Sequence, residues 1–587
     1  MIDIMKIEKI TKIRHSLAHL LAMAVLLKYP ETKLAIGPAI DNGFYYDFEF
    51  PDGVSPSTDD LKDLQKTMRK LAGKGLTFDE KEITAKEARE MFASQPYKLE
   101  LISEFVKEGE KLTTYTSGDF TDLCKGGHTE STKEIDPKAF KLTHIAGAYW
   151  KGDEKNKMLT RIYGLAFETP KELEEYIAMQ EEAKKRDHRK LGKELDLFTF
   201  SDVVGKGLPL WTERGATIRR VLERFIVDEE IRRGYKHVIT PDIASIELYK
   251  KSGHYPYYKD SMYAPIIIDD EEFMLRPMSC PHHYELYLRK PHSYRELPIR
   301  YAEIAKLYRY EQSGELSGLI RARAFSLADS HIICTGEKQA KEEIAGALDL
   351  IEFAANKFGL SMGKDYWYRL SLGDISDDKK YFKDDNAWKG AENILRDVLK
   401  ERGADFIEAK KEAAFYGPKI DIQMRNVNGK EDTAFTVQYD FVGAKRFNLS
   451  YVNNKNKESE CVVIHRSSIG AIERIVAFLI EHYAGAFPVW LSPIQVKIIP
   501  IADVHNKYAE EIFSKLLNSD IRAEIDLSNE TFGKKIREAK IQKTPYFLVI
   551  GDEEVSSKTV TVESRDDGKV GAMTVDEFIA NIQKETK

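Results

Sequence analysis

The stretch from Arg300 to His331 constrains the fold most strongly, because it predicts two strands joined by a loop. The first strand is predicted over Tyr301–Tyr310, and the loop over Gln312–Gly318 contains two glycines and two serines. The chain then leads away through Leu319–His331. A hairpin of this kind would bring its two strands side by side.

Three arginines on either side of this turn indicate a chemical purpose. Arg309, Arg321 and Arg323 fall on strand-like segments, where cross-strand pairing could aim them at one point. The planar guanidinium group matches phosphate oxygens, and an enzyme that moves a phosphorus-bound group needs such charge in place beforehand. The arginines would also fit a salt-bridged surface hairpin with three nearby carboxylates, Glu303, Glu311 and Glu315.

The residue order in this stretch resembles a known motif. R-Y-E, then S-G-x-L-x-G-L-x-R-x-R-x-F, then D-x-H are similar to the second signature motif of class II aminoacyl-tRNA synthetases, and of the threonyl-tRNA synthetase family in particular. The resemblance implies that Arg309 binds the α-phosphate and the amino-acid carboxylate, that Glu311 binds the adenine amino group, and that Phe325 stacks on adenine. The full ATP-binding set that it implies is Arg309, Glu311, Arg321, Phe325, Lys419 and Arg474.

The length of 587 residues is too great for one core and predicts three or four domains. The resemblance implies an α+β multidomain chain with an editing domain and linker helix at 1–185, a class II antiparallel-sheet catalytic domain at 186–488, and an α/β anticodon-binding domain at 489–587. The net charge of −7 does not indicate a nucleic-acid partner, so any RNA contact must use local patches.

The four cysteines are scattered, which argues against a disulfide scaffold and favours a reducing cytoplasm. No apolar run approaches the length of a membrane span. The run Leu20–Leu27 is too short for a signal peptide and is preceded by Asp3 and Glu8. We therefore predict a cytoplasmic protein without a membrane partner.

Two pairs of potential metal ligands lie in the first part of the chain. An amphipathic helix is predicted over Ile10–Tyr29, and it places His15 and His19 four residues apart on one face. Cys124 and His128 are also four apart. The four side chains could bind zinc, although each one alone is better explained as a structural residue.

These pairs resemble the editing domain that threonyl-tRNA synthetases share with alanyl ones. The motifs are H-S-x-A-H and D-L-C-x-G-x-H, and the threonyl version is thought to position a water without metal. The resemblance implies hydrolysis of seryl-tRNA in a pocket lined by His15, His19, Asp122, Cys124 and His128. Where the family commonly has proline before the last histidine, this chain has Gly127. The first motif starts at residue 15, so we expect a bacterial-type member without the usual extra N-terminal domain.

Two helices are predicted to connect or assemble domains. Glu172–Leu195 carries a basic patch and reads as a linker helix, either solvated or in contact with the tRNA backbone. The segment 210–241 resembles class II motif 1, which builds the dimer interface, so a homodimer is implied. Its apolar positions would have the same periodicity in a monomeric core; they are Ile218, Val221, Leu222, Phe225 and Ile226.

Cys280, His331 and His465 lie far apart in the sequence, so their spacing alone indicates nothing. The family match assigns them to the three zinc-ligand positions of threonyl-tRNA synthetases, with one Zn²⁺ per subunit. Three protein ligands leave an open position for substrate. His282 and His283 are competing candidates that match no ligand position.

A metal of this kind suits threonine as a substrate. An apolar pocket discriminates poorly between threonine and valine, whereas a site that binds the threonine hydroxyl rejects valine, which lacks this group. Serine retains the hydroxyl and lacks one methyl, worth about 1–3 kcal/mol, so a second, hydrolytic site is needed.

The remaining site residues also follow from the resemblance. Tyr416 and Gln438 would line the amino-acid pocket, Asp329 would bind the substrate ammonium, and Arg474 of motif 3 would bind the γ-phosphate. The implied reaction is attack of the threonine carboxylate on the α-phosphate of ATP with Mg²⁺, followed by transfer to tRNA. The catalytic set is Arg309, Glu311 and Arg474.

Two departures from the family pattern leave an alternative open. Leu327 stands where the family has glutamine, and Asp432-Thr433 replace a Trp-Gln pair. They motivate a catalytically impaired, tRNA-binding paralogue as the alternative function. A prolyl or seryl ligase of the same class and a metal hydrolase acting only through the N-terminal site are less consistent with the three ligand positions and the arginines.

After about residue 489 short strands alternate with helices, which predicts a small α/β domain. It resembles the anticodon-binding domain of threonyl, prolyl, histidyl and glycyl enzymes. Asn529 and Glu554 match positions that bind anticodon bases, and Glu563 replaces a usual arginine.

Overall fold

The computed structural model describes residues 4–374, 376–377 and 380–586. It contains two compact units, of which the first ends at Gln180 and the second begins at Glu181. The first unit contains four helices and the beginning of a fifth: α1 (Ile4–Lys28), α2 (Thr58–Ala72), α3 (Ala85–Met91), α4 (Pro96–Glu108) and α5 (Pro170–Arg186). Its strands are β1 (Lys33–Leu34), β2 (Ala39–Ile40), β3 (Gly43–Glu49), β4 (Asp79–Ile83), β5 (Leu112–Ser117), β6 (Phe120–Leu123), β7 (Phe140–Tyr149) and β8 (Met158–Ala166).

The first unit is built on helix α1, which packs against strand β3 and helix α2. Leu17, Leu20 and Leu21 of this helix are buried together with Phe44 and Phe48 of the sheet β1-β3-β8-β7. Strands β4, β5 and β6 form a second sheet. The predicted helix is present, but its amphipathic character is not confirmed, because every residue from 16 to 25 is buried. The helix ends two residues before Pro30, which cannot continue it.

Helix α1 is also the one described helix that is long and apolar enough to cross a membrane, over Glu8–Lys28. That test rests on length and composition only, and 61% of the apolar window is buried inside the unit. The burial is what a core helix shows.

The second unit begins with the elements of its catalytic part. The helices are α6 (His188–Glu194), α7 (Glu213–Arg232), α8 (Ile246–Ser252), α9 (His254–Tyr257), α10 (Cys280–Leu288), α11 (Glu337–Lys357), α12 (Asp385–Glu401), α13 (Gly443–Phe447) and α14 (Ile472–His482). The strands are β9 (Phe198–Thr199), β10 (Leu210–Trp211), β11 (Lys236–His237), β12 (Ile243–Ser245), β13 (Ile266–Ile268), β14 (Glu271–Leu275), β15 (Ile299–Tyr308), β16 (Ala324–Cys334), β17 (Tyr366–Leu372), β18 (Phe406–Lys410), β19 (Lys419–Arg425), β20 (Glu431–Asp440), β21 (Ser450–Val452), β22 (Glu458–Glu460) and β23 (Val462–Ala471).

An eight-stranded sheet in the order β11-β15-β16-β23-β20-β19-β17-β18 organises this part. All neighbours are antiparallel except the two edge pairs, β11 with β15 and β17 with β18. Helices α11 and α14 pack against its strands. The predicted antiparallel-sheet catalytic domain is therefore confirmed.

The predicted hairpin is present as β15 and β16, but the placement of its arginines was wrong. Arg309, Arg321 and Arg323 lie in the connection between the strands rather than on them. The hairpin closes where the Arg309 amide donates to the Arg323 carbonyl at 3.0 Å. Of the proposed surface ion pairs, only those of Arg321 with Glu311 and Glu315 form, at 2.8 and 3.0 Å.

The predicted linker helix is interrupted. Helix α5 ends at Arg186 and α6 begins at His188, because the Asp187 carboxylate caps the new helix by accepting the Arg189 amide at 2.8 Å. Helix α7 buries its apolar face in its own chain, with Ile218 and Leu222 fully buried. The apolar periodicity of helix α7 therefore reflects burial in the core of its own chain.

The C-terminal part of the second unit is a mixed sheet in the order β25-β24-β26-β27-β28 with four helices, as predicted. The strands are β24 (Val496–Pro500), β25 (Ala523–Ile525), β26 (Tyr546–Ile550), β27 (Thr559–Ser564) and β28 (Gly568–Thr574). The helices are α15 (Asn506–Asn518), α16 (Phe532–Ile541), α17 (Asp552–Ser557) and α18 (Val575–Thr586). The predicted α+β multidomain fold is thus confirmed.

Candidate functional site

A cleft of about 500 Å³ lies over the middle of the eight-stranded sheet. Its walls come from the β15–β16 hairpin, strands β20 and β23, and the start of helices α10 and α14. All but one of the site residues predicted for this part of the chain line the cleft: Cys280, Arg309, Glu311, Arg321, Phe325, Asp329, His331, Tyr416, Gln438, His465 and Arg474.

Lys419 is the exception, because it does not line the cleft. Its ammonium group donates to the fully buried carboxylate of Asp421 at 2.5 Å. Arg369 and Ser371 donate to the same carboxylate at 2.9 and 2.8 Å. The position of Lys419 in this network fits a structural ion pair.

Cys280, His331 and His465 meet at the inner end of the cleft, where their ligand atoms all lie within 4.8 Å of one another. His331 and His465 are direct partners on the neighbouring strands β16 and β23, and Cys280 begins helix α10. All three side chains are buried. The sheet register therefore brings together ligands that the sequence separates.

Buried partners orient both imidazoles. The Nε2 atom of His465 lies 2.8 Å from an Asp440 carboxylate oxygen, and the Nδ1 atom of His331 lies 2.8 Å from His283 Nδ1. His283 in turn contacts Glu303 at 3.2 Å. Outer partners of this kind hold metal-bound histidines in protein sites. His283, a competing ligand candidate, thus lies behind His331, and its role and that of Asp440 were missed from the sequence.

The donor set fits a zinc ion. Burial lowers the pKa of His331 well below its usual value, so the imidazole keeps a free lone pair. Burial raises the pKa of the Cys280 thiol, so the thiolate would need a cation beside it. One cysteine sulfur and two imidazoles are typical zinc ligands with a position left open.

The wall next to these ligands is polar. The Tyr416 hydroxyl donates to Gln438 at 2.5 Å, and the Tyr416 ring stacks on His465 with centroids 5.1 Å apart. Asp329 accepts a hydrogen bond from the Ser279 hydroxyl, and burial raises the pKa of its carboxyl. A cationic group that enters here would favour the charged, carboxylate form of Asp329.

The opposite end of the cleft is rich in arginine. The Arg309 guanidinium lies 5.3 Å from the centroid of the Phe325 ring and donates to the Pro277 carbonyl at 3.2 Å. Arg474 donates to the carbonyls of Thr433 and Ile320 at 2.7 and 3.1 Å. Burial lowers the pKa of Arg474, which leaves a guanidinium whose charge calls for an anion.

Two of the three residues that make up the departures Leu327 and Asp432-Thr433 lie within this cleft. Leu327 and Thr433 both line it. Thr433 binds Arg474 through its backbone carbonyl, while its hydroxyl accepts from Gln423 at 2.6 Å. Because the backbone makes this contact, it does not depend on the side chain at position 433.

The four predicted ligands of the first unit also come together, with their ligand atoms within 4.8 Å of one another. The Cys124 sulfur lies 3.4 Å from His15 Nε2 and 3.3 Å from His128 Nε2, and His19 packs beside them. Burial lowers the pKa of all three histidines, to about 2 for His128, and raises that of Cys124 to about 11. The cluster is therefore neutral near pH 7.

A buried ion pair supports this cluster. The Asp122 carboxylate accepts from Lys98 and from the Tyr46 hydroxyl, both at 2.5 Å, and lies 4.0 Å from His19 Nε2. Lys98 is only 2% exposed. Sequence reasoning missed Lys98 and Tyr46, since nothing local marks a lysine of helix α4 as buried.

The loop between Cys124 and His128 takes a backbone path that proline cannot follow. Gly126 and Gly127 have φ angles of +96° and +87°. Proline is confined to φ near −65°, so the family proline would not fit at Gly127 without a different loop.

Replacing Lys98 by methionine is expected to destabilise the first unit by about 3–5 kcal/mol, because the buried Asp122 carboxylate loses its countercharge. Calorimetry of the full chain would show this as a lower unfolding temperature. The exposed Lys141→Met in the same unit is the control and should change little. An unchanged transition in Lys98→Met would contradict the buried pair.

The two predicted anticodon residues lie on separate segments of the C-terminal part, Asn529 in a loop and Glu554 in helix α17. Glu554 caps helix α17 by accepting the Gly551 amide at 2.8 Å and the Thr561 hydroxyl at 2.6 Å. Asn529 is exposed in the loop after β25. Glu563 pairs with Lys540 at 2.7 Å.

Comparison with known families agrees with this architecture. Residues 263–483 match the family described as tRNA synthetase class II core domain (G, H, P, S and T), and residues 495–585 match the one described as anticodon binding domain. Residues 112–163 match the threonyl and alanyl tRNA synthetase second additional domain. Fold and cleft together define a class II aminoacyl-tRNA synthetase.

Individual relatives narrow this class. A threonine–tRNA ligase of Anoxybacillus flavithermus is 48% identical over 99% of this chain and 89% of its own length. One from Clostridium botulinum (strain Alaska E43 / Type E3) is 49% identical over 98% of this chain and 88% of its own length. A crystal structure of the RNA binding domain of threonyl-tRNA synthetase from Cryptosporidium parvum Iowa II is 36% identical, with a TM-score of 0.64, covering 68% of this chain and 98% of that one. The chain belongs to the threonyl-tRNA synthetase family, and the alternative of an impaired paralogue finds no support in these matches.

Proposed function

We propose that the chain activates L-threonine with ATP to threonyl-adenylate, transfers the threonyl group to its tRNA, and hydrolyses mischarged seryl-tRNA in the first unit. The observation that carries the proposal is the meeting of Cys280, His331 and His465 in one cleft with the arginines of the hairpin connection and helix α14. One end of the cleft suits an amino alcohol and the other a polyphosphate.

Cys280, His331 and His465 would hold one Zn²⁺ per chain, supported by their closeness, burial and donor chemistry. The ion would supply a Lewis acid for the amino and hydroxyl groups of threonine. Asp329 would bind the substrate ammonium, and Tyr416 with Gln438 would form the wall that limits the side chain.

At the other end, Arg309 would bind the α-phosphate and Arg474 the γ-phosphate of ATP, which enters with Mg²⁺. Phe325 would stack on adenine, and Glu311 would accept from its amino group once Arg321 turns to phosphate. A threonine carboxylate oxygen then attacks the α-phosphorus, the bond to the bridging oxygen breaks, and diphosphate leaves. A ribose hydroxyl of the tRNA displaces AMP in the second step. Lys419 pairs with Asp421, so its assignment to ATP has the least support.

For editing, the neutral imidazoles of His15, His19 and His128 beside Cys124 form a pocket that could hold a water against an ester. Asp122, fixed by Lys98, would orient His19. Serine differs from threonine by one methyl group, so the synthetic site alone gives only about 10–200-fold discrimination. The editing site would supply the additional discrimination against serine.

The remaining proposals concern organisation. We assign 1–185 to editing, 186–488 to catalysis and 489–587 to anticodon binding, with Asn529 and Glu554 near the bases. Homodimerisation through motif 1 is supported by Ile239, which lies two residues after the end of β11 and is 96% exposed. The cytoplasm is the proposed compartment, in keeping with four unpaired cysteines.

The test is ATP–pyrophosphate exchange with threonine, serine and valine, with and without a zinc chelator. We expect exchange with threonine, about 10–200-fold less with serine, and on the order of 10⁴-fold less with valine. The chelator should abolish exchange and added Zn²⁺ should restore it. Exchange that is supported equally by valine, or that is highest with another amino acid, would refute the proposal.

A further inference from the structure

His188 is the first residue of helix α6, and the sequence places it in the basic patch that could face solvent or tRNA. The structure buries it instead, with 2% of its surface exposed. Its Nδ1 atom lies 2.8 Å from the Glu481 carboxylate, and its Nε2 atom lies 3.2 Å from the Leu319 backbone nitrogen. Both ring nitrogens are therefore engaged inside the second unit.

The partners determine the state of the ring. The Leu319 amide can only donate, so Nε2 must accept with its lone pair. Nδ1 must then carry the proton and donate it to Glu481. A neutral imidazole of one tautomer joins the two partners, and a protonated ring would set Nε2–H against the Leu319 N–H.

These partners belong to the two elements that carry the arginines of the cleft. Leu319 lies in the connection between β15 and β16, which holds Arg309, and Glu481 lies in the last turn of helix α14, which holds Arg474. The residue after Leu319, Ile320, accepts the Arg474 Nε–H at its carbonyl at 3.1 Å. The imidazole is thus one residue away from the contact that orients Arg474.

Packing reinforces this link. Leu319 is 1% exposed and Glu481 4% exposed, so neither hydrogen bond competes with bulk water. Gly318 adopts φ +52°, and a Cβ atom there would collide with Nε2 of the imidazole. The connection can approach the ring this closely because residue 318 is glycine.

We propose that His188 is a positioning residue for ATP: it ties the hairpin connection to helix α14 and so fixes Arg309 and Arg474 relative to each other. The inference rests on the ATP-binding roles proposed for these two arginines. It also gives the start of α6, directly after the chain leaves the linker helix α5, a part in amino-acid activation.

Two substitutions whose amide side chains differ in length test the positioning role of His188. In His188→Gln the amide oxygen can occupy the Nε2 position and accept from Leu319, and the backbone amide of residue 188, which donates to Glu481 at 3.5 Å, keeps the link to helix α14. In His188→Asn the shorter amide can reach only Glu481, so the link to the hairpin connection is lost. We expect His188→Asn to lower kcat/KM for ATP in threonine-dependent pyrophosphate exchange by about 10–100-fold, mainly through KM for ATP. His188→Gln should stay within about threefold of the parent. KM for threonine, zinc content and hydrolysis of seryl-tRNA should change little in both.

Glu194→Gln, an exposed change on the same helix, is the matched control and should behave as the parent. Equal effects of the Asn and Gln variants, an unchanged kcat/KM for ATP in His188→Asn, or a parallel loss of exchange and seryl-tRNA hydrolysis would each overturn the inference. Arg474→Ala distinguishes failure of the proposed ATP site from failure of the positioning role of His188. If Arg474→Ala retains pyrophosphate exchange, the proposed ATP site is refuted. If Arg474→Ala is inactive while His188→Asn is normal, only the positioning role fails.

Discussion

The variant Cys280→Ala is expected to lose zinc and to lower threonine-dependent pyrophosphate exchange by on the order of 10³-fold or more. The physical reason is that two imidazoles without the thiolate bind zinc weakly, and the cleft then has no group that engages the threonine hydroxyl. Metal analysis of the purified protein and the exchange assay measure the two effects. Discrimination against valine should fall together with the rate.

Cys334→Ala is the matched control for this prediction. Cys334 is also fully buried and lies three residues after His331 on strand β16, but it is outside the ligand group. It should keep its zinc and its exchange activity. If Cys280→Ala keeps both as well, the assignment of the metal site is refuted.

Arg474→Ala is expected to have the second largest effect, a loss of about 10³-fold in exchange. This guanidinium is held by two backbone carbonyls, so it is already in place when ATP arrives and needs no reorganisation. Zinc content and seryl-tRNA hydrolysis should be unchanged, because neither depends on the polyphosphate end of the cleft. The exchange assay at several ATP concentrations separates binding from rate.

The exposed Arg425→Ala at the end of strand β19 provides the control, since it removes an equal charge away from the cleft. It should stay within about twofold of the parent protein. Activity of Arg474→Ala close to that of Arg425→Ala would show that the polyphosphate binds elsewhere.

Local sequence patterns predicted the helices and strands well where the residues of a single element determine its structure. Helix α1, the hairpin of β15 and β16, and the alternating elements of the C-terminal part are all present. The prediction of one continuous linker helix was wrong, because the Asp187 side chain caps a new helix, α6, within the predicted segment. Capping depends on a single residue and leaves little trace in periodicity.

The candidate site was predictable only through the family motifs. His331 and His465 are adjacent through the register of β16 and β23, which no sequence spacing reveals. The same holds for the buried partners: Asp440 for His465, His283 for His331, and Lys98 for Asp122. Each of these contacts joins separate elements, so it exists only after the chain has packed.

The most direct test of the account is X-ray absorption at the zinc edge of the purified protein. We predict one zinc per chain bound by one sulfur and two imidazole nitrogens, with the remaining light-atom ligands changing when threonine is added and remaining unchanged with valine. A protein that activates threonine without zinc, or a zinc spectrum without sulfur, would contradict the claim that Cys280, His331 and His465 hold the metal that recognises threonine.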